Sequence, residues 1–412
     1  MLGKKRWLVA VMAVSAMGSV AQTASDLRPE GSLTERVLMV PVGAATSVLE
    51  LETTLFRPPG EGPFPVLIMN HGKARGNPRQ QERDRFIAIS REFVKRGYAV
   101  VIPMRTGFAH SGGQYLDDGC DLQGNGQTQA NDVQGVIDYL VRQPWVDRTR
   151  LLIAGQSHGG LTALAYGTRT MPGVRGVINF AGGLRTDSGA CQWKKALLAA
   201  FSGYGAKSKV PSLWFYGAND SYFNPALATA LRDAFIGAGG QARLVAFGAF
   251  KQDAHAMSGS RDGVKVWWPE TERFLKDIGM PTDEVVHLDE QPRLPKTAFA
   301  AIDNVEAIPY LQPHGREQYK VFLGKPSPRA FAVSASGGWS WAEDGDDPVE
   351  RVLASCERSS GQPCKLYAID DDVVWVGSPD HLATASVGSP KPMTAAGPIA
   401  GTAYFRQSAS LR

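Results

Sequence analysis

The sequence has no run of the roughly 20 apolar residues that a membrane-spanning helix needs, and no segment reads as one. It lacks the Cys/His spacing of a zinc site and the Gly-rich loop that cradles phosphates, so no cofactor or metal is expected. A basic excess is missing too. The formal net charge is +4, and Lys4, Lys5 and Arg6 stand at the very start. The rest is close to neutral, which argues against nucleic-acid or anionic-membrane binding. No internal repeat is present. With 43% hydrophobic and 20% charged residues the chain has the balance of a globular protein, and its composition gives no argument for a disordered chain or a fibre.

The three positive residues precede a short apolar run, residues 7–17, and the small residues Ser19-Val20-Ala21. This is the pattern of a secretory signal peptide cleaved after Ala21, and it predicts export to the periplasm or beyond. Cysteine is scarce, with four in 412 residues. In an oxidising compartment an even count suggests disulfides, with three possible pairings. Cys120 with Cys191 and Cys356 with Cys364 are favoured, because mixed pairs would tie separate cores together. Buried free thiols are the alternative.

Two extended stretches, 37–42 and 48–56 with Gly43 and Ala44 between them, suit an antiparallel hairpin at a sheet edge. Residues 64–70 (FPVLIMN) are almost continuously apolar, as in a strand buried on both faces. A helix is expected from Asn77-Pro78 to about Lys95, then a strand at 98–104. Helices at 127–142, 158–168, 226–236 and 264–278 alternate with strands at 150–155, 174–180, 211–216 and 242–247. Such alternation predicts an α/β fold with a doubly wound, mostly parallel sheet, its strand-to-helix loops gathered at one edge. Residues 182–209 exceed a normal connection and read as a cap segment with its own short helix. The main domain spans 22–280. Prolines mark 281–328 as a linker region. Residues 329–377 read as a small α+β module of ββαβ order, with strands at 330–333, 338–342 and 365–376. Its helix, 348–358, would be capped by Asp346 or Asp347 ahead of Pro348. Residues 378–412, rich in Ser, Pro, Gly and Ala, are expected to form a loose tail.

Gly155-Gln156-Ser157-His158-Gly159 falls between the strand LLIAG and a helix. That is the setting in which a G-x-S-x-G sequence forms a sharp turn and lifts a serine hydroxyl above the sheet. A serine nucleophile needs a base, and a neutral imidazole suits the role. Of His158, His255, His287, His314 and His381 downstream, only His255 follows a sheet strand and precedes a helix. The acid belongs after the preceding strand, where SLWFYGAND delivers Asp220. Asp253 is too close to His255 in sequence, and Asp233 lies within a helix. For the oxyanion, the backbone N–H of His158 is one donor. Lys73, in the Asn70-His71-Gly72-Lys73 loop, supplies the other, with Gly72 second; His71 reads as structural. Trp193, Tyr204, Tyr222 and Phe223 are candidates to line a substrate pocket, or else they pack the cap. Cys120 and Cys191 follow strands on the same edge as Ser157, so a bridge between them would pin the cap near the pocket.

These motifs (NHG at 70–72, GQSHGG at 155–160, YGAND at 216–220 with SYF at 221–223, and the His255 loop) resemble the α/β-hydrolase superfamily. Within it they are most similar to the dienelactone-hydrolase-like and acylaminoacyl-peptidase-like groups, over about residues 37–279. The resemblance implies hydrolysis of an ester, amide or related acyl bond through an acyl-enzyme. Dienelactone hydrolases carry Cys as nucleophile, whereas Ser157 stands here, which argues against dienelactone as substrate. The expected function is a carboxylesterase-like serine hydrolase acting on a small-molecule or acyl substrate. A prolyl-oligopeptidase-type peptidase is the alternative, although the few dozen residues before the first strand leave no room for a propeller. A non-catalytic binding protein on the same fold is the third reading. The C-terminal module resembles a small Cys-containing unit of other exported bacterial proteins, and a ligand-binding or stabilising appendage is expected.

Overall fold

The computed structural model describes residues 33–44, 47–186, 191–289, 294–325, 327–343 and 348–377. The leader and its cleavage site, the tail with His381, and the capping residues Asp346 and Asp347 lie outside the described residues.

Eight strands form the main sheet: β1 (Glu35–Ala44), β2 (Ser47–Phe56), β3 (Phe64–Asn70), β4 (Ala99–Pro103), β5 (Val146–Gln156), β6 (Val174–Phe180), β7 (Ser212–Gly217) and β8 (Ala242–Phe247). Their spatial order is β1-β2-β4-β3-β5-β6-β7-β8. The first pair is the antiparallel hairpin expected at the edge, and β2 runs antiparallel to β4. From β4 through β3 to β8 all pairings are parallel. Parallel strands need helical crossovers that cover both faces, which is why the central strands are apolar throughout. Every residue of β7, SLWFYG, is buried.

On one face lie α2 (Leu122–Leu140), α3 (His158–Tyr166), α4 (Trp193–Gly205) and α5 (Pro225–Gly237), sharing one apolar cluster. On the other lie α1 (Ile87–Lys95) and α6 (Val264–Asp277), which bury Phe93, Val94, Trp267, Phe274 and Leu275 against the sheet. Local chemistry sets the helix starts. The Asp121 carboxylate accepts the Gly124 N–H at 2.8 Å, so α2 begins five residues earlier than its apolar spacing suggested. Asn224 caps α5 in the same way, with Pro225 in the first turn.

The helix expected from Asn77 onward is shorter than the sequence suggested. Residues Pro78–Gln80 make one 3-10 turn, and α1 starts only at Ile87, after Phe86 takes φ 44°. The intervening chain turns two arginines inward onto the buried Glu35 of β1. Arg83 Nη1 lies 2.7 Å and Arg85 Nε 2.9 Å from Glu35 Oε1. Two charge-assisted bonds to one buried carboxylate hold this stretch out of helical geometry.

The C-terminal module has a four-stranded antiparallel sheet in the order β10-β9-β11-β12. Its strands are β9 (Arg329–Ser334), β10 (Trp339–Glu343), β11 (Cys364–Ile369) and β12 (Asp372–Val373). Two sequence expectations change here. The single strand over 365–376 is a hairpin, because Asp370 adopts φ 51° and turns the chain; Asp is among the few residues that tolerate this conformation. The stretch read as linker contains a helix, α7 (Pro313–Leu323). Its Pro313 marks a first helical turn, where no backbone N–H is needed, rather than a break. Along β9 the side chains alternate. Phe331 and Val333 pack with Tyr319 and Phe322 of α7, while Ala330 and Ala332 pack with Val352 and Cys356 of α8 (Pro348–Ser360).

Both favoured disulfides are present. Cys120–Cys191 joins the loop before α2 to the segment before α4, with Cα atoms 5.5 Å apart, and Cys356–Cys364 ties α8 to β11 at 6.1 Å.

Trp267 is fully buried, 6.4 Å from Phe93 and 6.0 Å from Phe180 between ring centroids. Trp267→Ala is expected to cost about 3–5 kcal/mol, read as a lowered midpoint in urea unfolding.

Candidate active site

Strand β5 ends at Gln156 and α3 starts at His158, so Ser157 is the bend between them, at φ 53° and ψ −120°. Two glycines make the bend possible. A Cβ on Gly155 would lie 2.0 Å from the Gly159 carbonyl oxygen, and one on Gly159 would lie 2.0 Å from that of Asn70. Strand, helix and the β3 loop meet there backbone to backbone. Ser157 itself is partly exposed.

Asp220 follows β7, and its side chain is 0% exposed. One oxygen, Oδ1, accepts the backbone N–H groups of Tyr222 and Phe223, both at 2.8 Å. This fixes the other, Oδ2, which lies 3.1 Å from His255 Nδ1. With Nδ1 donating to the carboxylate, Nε2 is the imidazole's acceptor nitrogen. The rival Asp253 is engaged elsewhere. It accepts the His255 N–H at 2.9 Å and the Ser221 N–H at 3.0 Å through Oδ1, and the Ser221 hydroxyl at 2.5 Å through Oδ2. Asp233 pairs with Arg232 on the exposed side of α5. Gln156 ties the elbow to the histidine loop, its Nε2 donating to the His255 carbonyl at 3.3 Å.

The loop after β3 passes over the elbow: a Cβ on Gly72 would sit 3.4 Å from Ser157 Cβ. Lys73 follows directly, and its ammonium lies 5.4 Å from the Tyr115 ring centroid. His158 opens α3, where the first N–H groups have no acceptor within the helix.

The four pocket candidates separate. Tyr222 and Phe223 lie 4.5 and 5.7 Å from the His255 ring, and Trp193 lies 6.4 Å from Phe223. Tyr204 is buried instead, donating to the Gln123 carbonyl at 2.8 Å, and so packs α4 against α2. Two guanidinium groups flank Tyr222, with Arg75 Cζ at 6.0 Å and Arg185 Cζ at 5.8 Å from the ring centroid. His287 is exposed, and His314 packs beside Trp339 in the module.

Behind the elbow is a polar cluster that sequence reasoning missed. Arg105 is fully buried, with its backbone N–H on His71 Nε2 at 3.0 Å. Its side chain donates to Gln129 Oε1 at 2.9 Å and to His158 Nδ1 at 3.2 Å. Burial pushes its guanidinium down to about 10. The only signal was a charged residue two positions after the buried strand AVVIP. The hydrogen bonds also settle the tautomers: His71 donates from Nδ1 to the Gly72 carbonyl, and His158 donates from Nε2 to Asn125 Oδ1 at 2.7 Å. Among the described residues, no group of three or more His, Cys, Asp or Glu is placed to hold a metal ion, and no helix is long and apolar enough to cross a membrane.

Burial, then the Arg105 charge, holds both His71 and His158 well below the ordinary histidine value. The folded state therefore takes up fewer protons than the unfolded chain once the pH falls below about 6.5. The stabilisation is complete above that value and is lost on acidification. The loss should approach roughly 1.4 kcal/mol per pH unit for each ring, measured by urea unfolding at pH 7.5, 6 and 5. His158→Gln should remove its share of the slope.

Residues 48–197 match the family described as X-Pro dipeptidyl-peptidase (S15 family). No curated protein matches. Similar solved structures include a protein described as a dienelactone hydrolase from Klebsiella pneumoniae subsp. pneumoniae, at 20% identity over 60% of this chain and 98% of that one, with TM-score 0.42. The acylaminoacyl peptidase of Pyrococcus horikoshii is 17% identical over 61% of this chain and 43% of that chain, with TM-score 0.45. This chain thus spans less than half of that peptidase. An esterase of Pyrococcus furiosus is 15% identical over 62% of this chain and 95% of its own, with TM-score 0.45. With its strand order, its elbow after β5 and the S15 match over residues 48–197, this chain has the α/β-hydrolase fold of serine hydrolases.

Proposed function

We propose that the protein is an exported serine hydrolase that cleaves an ester through an acyl-enzyme, with Ser157 as nucleophile, His255 as general base and Asp220 as its partner. The observation that carries this reading is the Asp220–His255 contact at 3.1 Å, formed on a loop that Gln156 tethers to the elbow. In the first half-reaction the Ser157 hydroxyl attacks the acyl carbon and its proton passes to His255 Nε2. Asp220 holds the ring in the Nδ1–H tautomer and stabilises the imidazolium. The oxyanion is met by the backbone N–H groups of His158 and Lys73. His255 then protonates the departing alkoxide. Water, deprotonated by the same nitrogen, releases the acid and restores Ser157.

An ester is favoured over a peptide read from its free N-terminus, because an N-terminal ammonium calls for a carboxylate beside the nucleophile. Asp220 and Asp253 are both committed to backbone and side-chain donors. Two cations, Arg75 and Arg185, flank the Tyr222 ring and are of the wrong sign for such a ligand. The S15 match supports the peptidase alternative, which an assay can separate.

Purified enzyme should hydrolyse p-nitrophenyl butyrate faster than an Ala-Pro p-nitroanilide. Ser157→Ala should lose at least ~1,000-fold in kcat, and Asp220→Asn roughly 10⁴-fold. Equal rates for the wild type and Ser157→Ala would overturn the assignment. Faster anilide cleavage would move the protein to the peptidases.

A further inference from the structure

The C-terminal module is joined to the hydrolase domain by hydrogen bonds that end on the histidine loop. At the β11–β12 turn, Asp370 Oδ2 receives the Lys251 ammonium at 2.8 Å and Asp371 Oδ2 receives Gln252 Nε2 at 3.0 Å. Lys251 and Gln252 lie four and three positions before His255. We propose that this Asp370–Asp371 turn positions the His255 loop for the reaction, which makes Asp370 and Lys251 positioning residues of the hydrolase. The inference rests on the catalytic reading given above.

On its own side the turn is firmly held. Arg329, 5% exposed, donates its backbone N–H to Asp370 Oδ1 at 3.0 Å and its Nε to the Asp370 carbonyl at 3.1 Å. Its Nη2 reaches Asp371 Oδ1 at 2.7 Å, and its Nη1 the carbonyls of Phe322 and Lys325 at 2.8 Å each. The turn is therefore fixed to both β9 and the end of α7. A second attachment lies on α8, where Glu350 pairs with Arg85 and Arg351 Nε meets Glu82 at 2.8 Å. Held at two places, the module can act as a rigid body against the loop.

On the hydrolase side the loop is bonded to the residue before Asp220 and to the backbone of His255. Lys251 takes the left-handed conformation, φ 44°, and its carbonyl accepts Asn219 Nδ2 at 3.0 Å. Asn219 precedes Asp220, and its Oδ1 accepts the Phe250 N–H at 2.9 Å. Asp253 then caps the turn that carries His255. A displacement of Lys251 would thus reach Asp220 through Asn219 and His255 through Asp253. Burial alone would lower the pKa of the Lys251 ammonium, but Asp370 and Asp262 together raise it, so it stays charged. Half-exposed pairs of this kind add little to global stability. Their effect on a reacting group can be much larger, since about 1 Å of misplacement can cost roughly 100-fold in rate.

The test uses the full-length enzyme with Asp370→Asn, Lys251→Met, the double variant, and Lys296→Met as a control. Asparagine keeps the oxygen that receives the Arg329 N–H while removing the charge opposite Lys251. Lys296 pairs with Asp372 of the same hairpin at 2.8 Å but touches no part of the loop. Each single variant should lower kcat for p-nitrophenyl butyrate about tenfold with KM almost unchanged, and the double variant should be no worse than the poorer single. The low-field proton resonance of His255 Nδ1–H, an NMR signal independent of turnover, should broaden in all three and stay sharp in Lys296→Met. Unchanged kcat and an unchanged resonance in properly folded variants would overturn the proposal. A resonance that responds in an enzyme whose activity survives Ser157→Ala would uphold the positioning and refute the catalytic reading instead.

Discussion

The Asp220 carboxylate is the constraint around which the site is arranged. Two backbone N–H groups fix Oδ1, leaving Oδ2 a single direction in which to face His255. A buried carboxylate needs hydrogen-bond donors in place of water, and the turn from Asp220 to Phe223 supplies two of them from its own backbone. That turn places two aromatic rings beside the imidazole, so one short segment both orients the ring and shapes the wall next to it.

A second polar layer, under the elbow, follows the opposite rule. Arg105, His71 and His158 are buried together, and burial, then the nearby guanidinium charge, keeps the two imidazoles neutral; the Arg105 side chain meets Nδ1 of His158 and its backbone N–H meets Nε2 of His71. The histidine beside the nucleophile is thereby removed from acid–base chemistry near neutral pH, while His255 stands on a partly exposed loop with Nδ1 on Asp220.

Much of this could be read from the residues alone. The alternation of strands and helices, with the apolar run at 64–70, pointed to the parallel sheet, and the elbow's place between strand and helix followed from LLIAG and the helix after it. Asp220 and His255 were reachable by chain order and loop position. What escaped were features made by tertiary contact. The chain from 81 to 86 gives up helix because Glu35, some 50 residues away, draws in Arg83 and Arg85. Helix α7 was hidden because a proline in a first turn looks like a proline in a linker. Tyr204 was indistinguishable from Tyr222 by composition, yet one faces α2 and the other the imidazole.

Strand β9 presents methyl groups to α8 and bulky rings or branched chains to α7. Slippage by one residue would exchange the two sets, pressing Phe331 into a space sized for alanine and leaving the aromatic side of the module hollow. The Cys356–Cys364 bond couples α8 to the neighbouring strand, so such slippage would have to carry helix and sheet along together. The module therefore has one admissible alignment, and every group it presents to the hydrolase domain keeps a fixed address.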